Sequence, residues 1–324
     1  QDDGRIVNTG IRPFIGDLDV LPFPARDLVP YRKYSSILAR RLPVTTMFTS
    51  RGCPFQCSFC DRPHLGKKFR ARSAKNVVDE MEQSVRMGIH EILMYDDTFT
   101  VRSERVMEIC REILRRRLDV GWDIRTRVDT VTPDMIEALR KAGCRGIHYG
   151  VESGTEKILK VLNKGITVQQ AREVFQFTRK AGVMVLAYFM IGCPTETRQD
   201  IETTLRVMSS LQPDYAHITI LTPFPGTKIY LDGLRSGMIR RDYWREFAAN
   251  PQPDFSPPHW PEIPAPELQK IIRRAYRNFY FRPAYLARRL TKVRSFGELK
   301  RKAKSALAVL KWERQEGASS AQLP

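Results

Sequence analysis

Two hydrophobic periods trade places along this chain from residue 44 onward. Val44–Thr49 is a β-branched run and predicts a strand. Val77, Val78, Met81 and Val85 then recur at helical spacing between Ser73, a candidate N-cap, and Gly88. Glu91–Tyr95 reads as the next strand, and residues from about 103 to 117 as helix. Val120–Arg127 is a strand, and Pro133–Ala142 a helix with Gly143 as a candidate C-cap. Gly146–Val151 is a strand, followed by helical stretches over Thr155–Leu162 and Val168–Ala181. Val183–Ile191 is a strong strand, Arg198–Leu211 a helix and Tyr215–Leu221 a sixth strand. Alternation of this kind predicts a parallel sheet. Six strand–helix units instead of eight predict an α/β fold: a partial (β/α)6 TIM-type barrel, open on one side.

The flanks read differently. Pro13, Pro22, Pro24, Pro30 and Pro43 break any helix longer than about three turns, so residues 1–43 are expected to be an extended connector. Residues 44–240 are the predicted barrel, and 241–324 a basic, mainly helical extension. The net charge of +18 concentrates in that extension: Glu267–Glu316 holds 15 Lys/Arg against 4 Asp/Glu. Tyr276, Phe279, Tyr280, Phe281, Tyr285 and Trp312 are interleaved with these cations, a composition that suits RNA or a membrane surface. Against that, Leu268, Ile271, Ile272, Ala275, Tyr276 and Phe279 recur at helical spacing and give the helix a face to bury. Arg273, Arg274, Arg277, Arg288, Arg289 and Lys292 lie largely off that face. The expectation is a helix packed on the barrel with solvated cations; nucleic acid is not expected, and any membrane-surface contact would be weak.

No run of about 18 apolar residues predicts a membrane span, and no signal peptide is visible. The chain begins at Gln1 without a Met, which fits a processed or truncated product. Six cysteines, three of them in one motif, do not resemble a disulfide framework and fit a reducing cytosol, so a cytoplasmic location is expected.

The candidate chemistry starts with Cys53, Cys57 and Cys60, a C-x3-C-x2-C array in the loop after the first strand. Three thiolates in one loop can hold soft metal, and cysteine thiolates are the ligands of Fe–S clusters. A 4Fe–4S cluster held by three cysteines leaves one iron for a ligand. The bland alternatives are a zinc knuckle completed by His64 and three structural thiols. The other chemically able groups, Asp96/Asp97, Arg127/Asp129, Glu152/Ser153, Gly192/Cys193 and the Pro223–Thr227 loop, fall at the C-terminal ends of strands, where such barrels keep their active groups. Asp96 and Asp97 could accept charge-assisted hydrogen bonds from an ammonium group, or Asp97 could cap a helix. Arg127 offers a planar fork to a carboxylate, or a structural ion pair with Asp129 or Glu152. Glu152 sits among glycines that leave room for a ligand. Glu196 is expected to cap the following helix. Cys193 reads as a small buried hydrophobe, with a functional thiol as the alternative, and Cys110, Cys144, His64 and His148 receive no role.

The cysteine spacing, with Phe59 just before the last cysteine, resembles the signature of the radical S-adenosylmethionine (SAM) enzymes. Tyr95–Phe99, Gly150–Gly154, Met190–Thr197 and Pro223–Thr227 resemble successive motifs of the branch that includes cobalamin-dependent enzymes and tRNA methylthiotransferases. The Leu18–Pro24 run resembles the linker after a cobalamin-binding domain, and Asn278–Pro283 the C-terminal part of the magnesium-protoporphyrin ester cyclase-like group. The resemblance implies a 4Fe–4S cluster on Cys53, Cys57 and Cys60. It also implies SAM held near Phe59, Asp97, Arg127, Glu152, Ser153 and Gly192, with Phe59 and the Ile191–Cys193 backbone beside the adenine. An external reductant such as flavodoxin or ferredoxin, and a small or lipid-like substrate undergoing radical methylation, cyclisation or rearrangement, are implied with it. Cobalamin would come through a domain not seen in this sequence, so the chain is expected to be a fragment or to work without it. The rivals are a methylthiotransferase-like enzyme and a non-catalytic metal- or nucleic-acid-binding protein.

Overall fold

All six predicted strands are present and pair in one parallel sheet. The computed structural model describes residues 10, 12–61, 66–257, 259, 260 and 262–290. His64, Lys292 and Trp312 lie outside them, as does the basic run beyond residue 290. The strands are β1 (Val44–Met47), β2 (Ser50–Arg51), β3 (Arg70–Ala71), β4 (Glu91–Met94), β5 (Gly121–Thr126), β6 (Cys144–Glu152), β7 (Met184–Ile191) and β8 (Tyr215–Ile220). The helices are α1 (Ala74–Arg86), α2 (Ser103–Arg116), α3 (Pro133–Lys141), α4 (Glu156–Val161), α5 (Val168–Lys180) and α6 (Arg198–Leu211). After β8 come α7 (Lys228–Arg235), α8 (Tyr243–Ala249), α9 (Ala265–Tyr280) and α10 (Pro283–Leu290).

The large sheet runs β1-β4-β5-β6-β7-β8, so each strand is laid beside its predecessor and the sheet curls one way into a half-barrel. Burial along β7 alternates strictly. Val185, Ala187, Phe189 and Ile191 are buried beneath the helices, while Met184, Leu186, Tyr188 and Met190 line the half-buried concave face. On the convex side Tyr149 of β6 packs on Phe175 of α5, and Phe99 on Trp122 of β5. Local capping sets the helix starts: Thr197 and Asp200 form a reciprocal capping box on α6, as Thr167 and Gln170 do on α5.

Two features depart from the expectation. The first strand ends at Met47 instead of Thr49, and β2 pairs antiparallel with β3, closing the base of the cysteine loop. The connector is extended but pinned. Arg26, buried, donates to Thr45 Oγ1 and the Thr46 carbonyl and pairs with Glu80, which also holds Arg72. Among the described residues no helix is long and apolar enough to cross a membrane.

The free edge of β8 is closed by tyrosines. The Ala216 N–H donates to Tyr280 Oη at 3.0 Å, and that hydroxyl donates to the Ala216 carbonyl at 2.8 Å. Tyr276 treats Ile218 in the same way, and Tyr285 Oη donates to the Asp214 carbonyl. The apolar stripe of α9 faces inward, burying Leu268, Ile272, Ala275, Tyr276 and Phe279, while Arg274 and Arg277 are exposed. Edge strands need such cover. Tyr276→Phe or Tyr280→Phe leaves a buried N–H and C=O without their partner, so each should lower the unfolding free energy by about 1–3 kcal/mol in denaturant titrations. Tyr34→Phe, at an exposed ring, is the control and should change little. Equal stability of all three variants would mean that the hydroxyls do not seal the edge.

Candidate active site

The chain leaves β1, passes through β2 and turns at Gly52, whose φ of +81° an L side chain rarely adopts, into the cysteine loop. Cys53 is buried and Cys57 and Cys60 are half-buried. Distant elements hold the loop. Ser58 donates its N–H to the Leu162 carbonyl and its hydroxyl to the Val161 carbonyl at the end of α4. The Asn163 side chain donates to the Gln56 carbonyl at 2.7 Å, and the Ile229 N–H of α7 to the Ser58 carbonyl. Phe59 packs against the buried cluster that includes Ile158, Leu162, Cys193, Leu221 and Ile229.

Arg127, just past β5, organises the next layer. Its guanidinium forks onto Asp129 through two 2.8 Å bonds and donates to the Lys164 carbonyl. It also lies 3.9 Å above the Phe55 ring and directs Nη1 at Cys57 Sγ, 3.5 Å away. Of the two roles open to Arg127, the ion pair with Asp129 is the one its geometry adopts. Cys53 Sγ lies 3.5 Å from Thr98 Oγ1.

The acidic strand end separates into two parts. Asp96 is fully buried, and its carboxylate accepts from Thr49 N, Thr49 Oγ1 and Ser50 Oγ at 2.5–2.6 Å. Those bonds draw Thr49 and Ser50 out of the β1 ladder, which is why the strand stops early. Asp97 is exposed. It does not cap α2, whose N-cap is Arg102, so that alternative is corrected.

Glu152 ends β6 with φ +70°, and Lys164 Nζ bonds its carboxylate at 2.8 Å, both side chains buried. Gly150 makes room for this pair: a Cβ there would stand 2.4 Å from Glu152 Oε1 and 2.8 Å from Lys164 Nζ. Ser153 points away from the mouth and bonds Thr204 of α6 at 3.2 Å. The spacing of Lys164 gave no sign of its role, because its partner lies across the α4 turn.

Gly192 follows β7 with φ +77°, and a Cβ there would meet Leu268 at 2.8 Å. Glu196 was expected to cap α6. It instead turns back to accept the N–H groups of Gly192 (2.6 Å) and Cys193 (3.0 Å), and Thr197 caps the helix. The local sequence places both Glu196 and Thr197 near the N-terminus, and the threonine wins with its Asp200 partner. Burial pushes the Glu196 carboxyl up to about 7, against the pull of the two N–H groups. An acid raised in the folded chain keeps its proton after the unfolded chain has lost it. Glu196 therefore subtracts stability as pH rises from about 4.5 to about 7, and its effect is level above that. Glu196→Gln keeps an oxygen for both N–H groups and has no proton to lose. Its unfolding free energy, relative to the native chain, should rise across that window and stay level from about pH 7 to 8. A difference independent of pH would mean that Glu196 is ionised throughout.

Cys193 is buried beside these groups; burial first, then the Glu196 and Glu152 charges, holds its thiol well above the usual range. Burial also pushes Cys110 up to about 12. Both thiols are buried, which favours their protonated form. His148, buried, has Nε2 3.2 Å from Asp123 Oδ2 on the concave face.

The loop thiols, with a guanidinium on one sulfur and a hydroxyl beside another, are a soft, anion-stabilising donor set of the kind Fe–S clusters use. Among the described residues no three Cys, His, Asp or Glu side chains converge on one point where a single metal ion would sit. In a cubane each thiolate takes a different iron, so such convergence is not required.

Comparison with known proteins gives a consistent picture. The model of the Radical SAM superfamily matches residues 47–208. An uncharacterized methyltransferase of Pyrococcus horikoshii is 34% identical over 288 residues, 88% of this chain and 61% of the relative. The anaerobic magnesium-protoporphyrin IX monomethyl ester cyclase of Cereibacter sphaeroides is 32% identical over 289 residues, 87% of this chain and 46% of the cyclase. This chain thus spans less than two thirds of either relative. Among solved structures, the methyltransferase TsrM of Kitasatospora setae, with cobalamin and a [4Fe-4S] cluster bound, superposes with a TM-score of 0.57 at 22% identity, covering 60% of this chain and 38% of TsrM. OxsB with aqua-cobalamin and SAM bound gives 0.59 at 17% identity, covering 83% of this chain and 46% of OxsB. At these identities the superpositions show the partial-barrel fold alone.

Proposed function

This chain belongs to the radical SAM superfamily, and we propose that it is the catalytic core of an enzyme that uses radical chemistry to methylate, cyclise or rearrange a small or lipid-like molecule. In this reading Cys53, Cys57 and Cys60 hold a 4Fe–4S cluster. When bound, the cluster would supply an electron and SAM a sulfonium whose C–S bond it can cleave, the chemistry by which SAM gives methionine and a 5′-deoxyadenosyl radical. The observation that carries the reading is the three-cysteine loop at the end of β1, tied down by α4, α7 and Arg127. The names of the relatives favour methyl transfer or ring closure over other radical outcomes.

This chain's own groups then have distinct tasks. Arg127 balances the charge of the thiolates and fixes the loop. Glu152, oriented by Lys164, and Asp97 receive the polar parts of SAM, while Phe59 and the Gly192–Cys193 backbone offer a surface to its adenine. Ser153 acts by holding the β6 end against α6. Residues 44–240 form the barrel, 1–43 are a connector, and within 241–324 the described helices α9 and α10 cover the open edge. Electrons come from a flavodoxin- or ferredoxin-like donor in a reducing cytoplasm, and membrane contact is confined to weak attraction by surface cations.

Asp97→Ala, and Glu152→Ala combined with Lys164→Met so that no unmatched charge is buried, should each weaken SAM binding while leaving the iron content intact, because they sit on different strand ends from the cysteines. Loss of one charge-assisted bond costs about 1.5–3 kcal/mol, roughly a tenfold to hundredfold loss of affinity by calorimetric titration of reconstituted protein. Unchanged affinity in both variants would remove these residues from the site.

A further inference from the structure

Below the strand ends, the concave face carries a row of polar and aromatic side chains, one from each strand or its end. Phe48, just past β1, meets Tyr95, just past β4, edge to face at 6.3 Å. Arg125 of β5 stacks its guanidinium 3.5 Å from the Tyr95 ring centre. His148 of β6 pairs in register with Arg125 and lies 6.2 Å from Tyr188 of β7. Tyr188 in turn pairs with His217 of β8, their rings 5.7 Å apart. The row is open where it begins: Phe48 is 48% and Tyr95 40% exposed.

Asp123, the acid on the same face, has its Oδ2 3.2 Å from His148 Nε2, and it makes no ion pair with Arg125 among the described residues. Arg125 is half-buried, and its partners among the described residues are all uncharged: the Met94 carbonyl at 2.9 Å, the Tyr95 ring, and the hydroxyls of Tyr95 and Tyr188. A guanidinium has five donors, and holding one partly out of water without a counter-charge is costly. An incoming anion would remove that cost. His217 adds a second polar group: its Nδ1 is buried with no hydrogen-bond partner among the described residues. Burial lowers its pKa, so it faces a ligand as the neutral ring. Tyrosine faces and a guanidinium plane are good stacking surfaces for a flat π system.

Resting on the functional reading above, we propose that this concave wall binds the substrate and that the substrate is an aromatic or conjugated carboxylate, its anion on Arg125 and its ring against Tyr95, Tyr188 and His217. Arg125 is then a specificity-determining residue.

The probe pair is 2-naphthoate and the neutral 2-naphthamide, titrated into the reconstituted full chain with SAM at saturation. Naphthoate should bind at least tenfold tighter than naphthamide. Arg125→Gln should erase that preference, and Tyr188→Leu should weaken both probes by a similar factor. Circular dichroism and iron content report whether each variant is folded. Equal affinity for the two probes, binding of neither, displacement of naphthoate by SAM, or a preference that survives Arg125→Gln would overturn the assignment. SAM cleavage by the native chain is read in the same samples. A chain that cleaves SAM without the preference overturns the wall alone. One with the preference that does not cleave SAM overturns the functional reading and leaves the anion site standing.

Discussion

Alanine at any one of Cys53, Cys57 or Cys60 should reduce SAM cleavage to background. Each thiolate would hold a different iron, so two cannot substitute for three. The fold should survive, because the loop lies outside the sheet ladder and two of the three thiols are only half-buried. Iron content after anaerobic reconstitution should fall with activity, while the denaturation midpoint stays close to that of the native chain. Cys110→Ala is the informative control. That thiol is buried in α2 and pushed up to about 12, so it offers no thiolate to iron. The variant should lose some stability, since it leaves a small cavity, yet keep its cluster. A loop variant with native activity, or loss of cleavage in Cys110→Ala with the fold intact, would contradict the assignment of ligands.

Lys164→Met should be the most damaging substitution outside that loop. It leaves the Glu152 carboxylate buried without its cation, and breaking a buried pair typically costs about 3–5 kcal/mol. Glu152→Gln with Lys164→Met should recover part of this loss, because the double variant buries no unmatched charge. Denaturant midpoints of the single and double variants give the coupling directly. A Lys164→Met chain as stable as the native one would mean that water already screens Glu152.

The alternation of strands and helices was legible because each element carries its own signal. Arg198–Leu211 has the bounds its pattern predicts, since Thr197 and Asp200 define its start locally. The cysteine loop was legible for the same reason, its three cysteines lying within eight residues of one another. What escaped notice depends on partners far apart in the chain. Asp96 reaches Thr49 and Ser50, Asn163 reaches Gln56, Lys164 reaches Glu152 and the tyrosines of α9 reach β8. None of these pairs has a spacing that a periodic pattern can encode. Glu196 shows the reverse case: a plausible local cap was set aside for two backbone N–H groups at a strand end. The half-barrel is therefore written in local patterns, and the side-chain lattice of its mouth in contacts between strand ends.

The most direct test is anaerobic reconstitution of this chain with iron and sulfide, followed by reduction with dithionite in the presence of SAM. The expected result is about four irons per chain and formation of 5′-deoxyadenosine that requires Cys53, Cys57 and Cys60. Tetrahedral zinc at full occupancy in anaerobically prepared protein, with no 5′-deoxyadenosine formed, would contradict it.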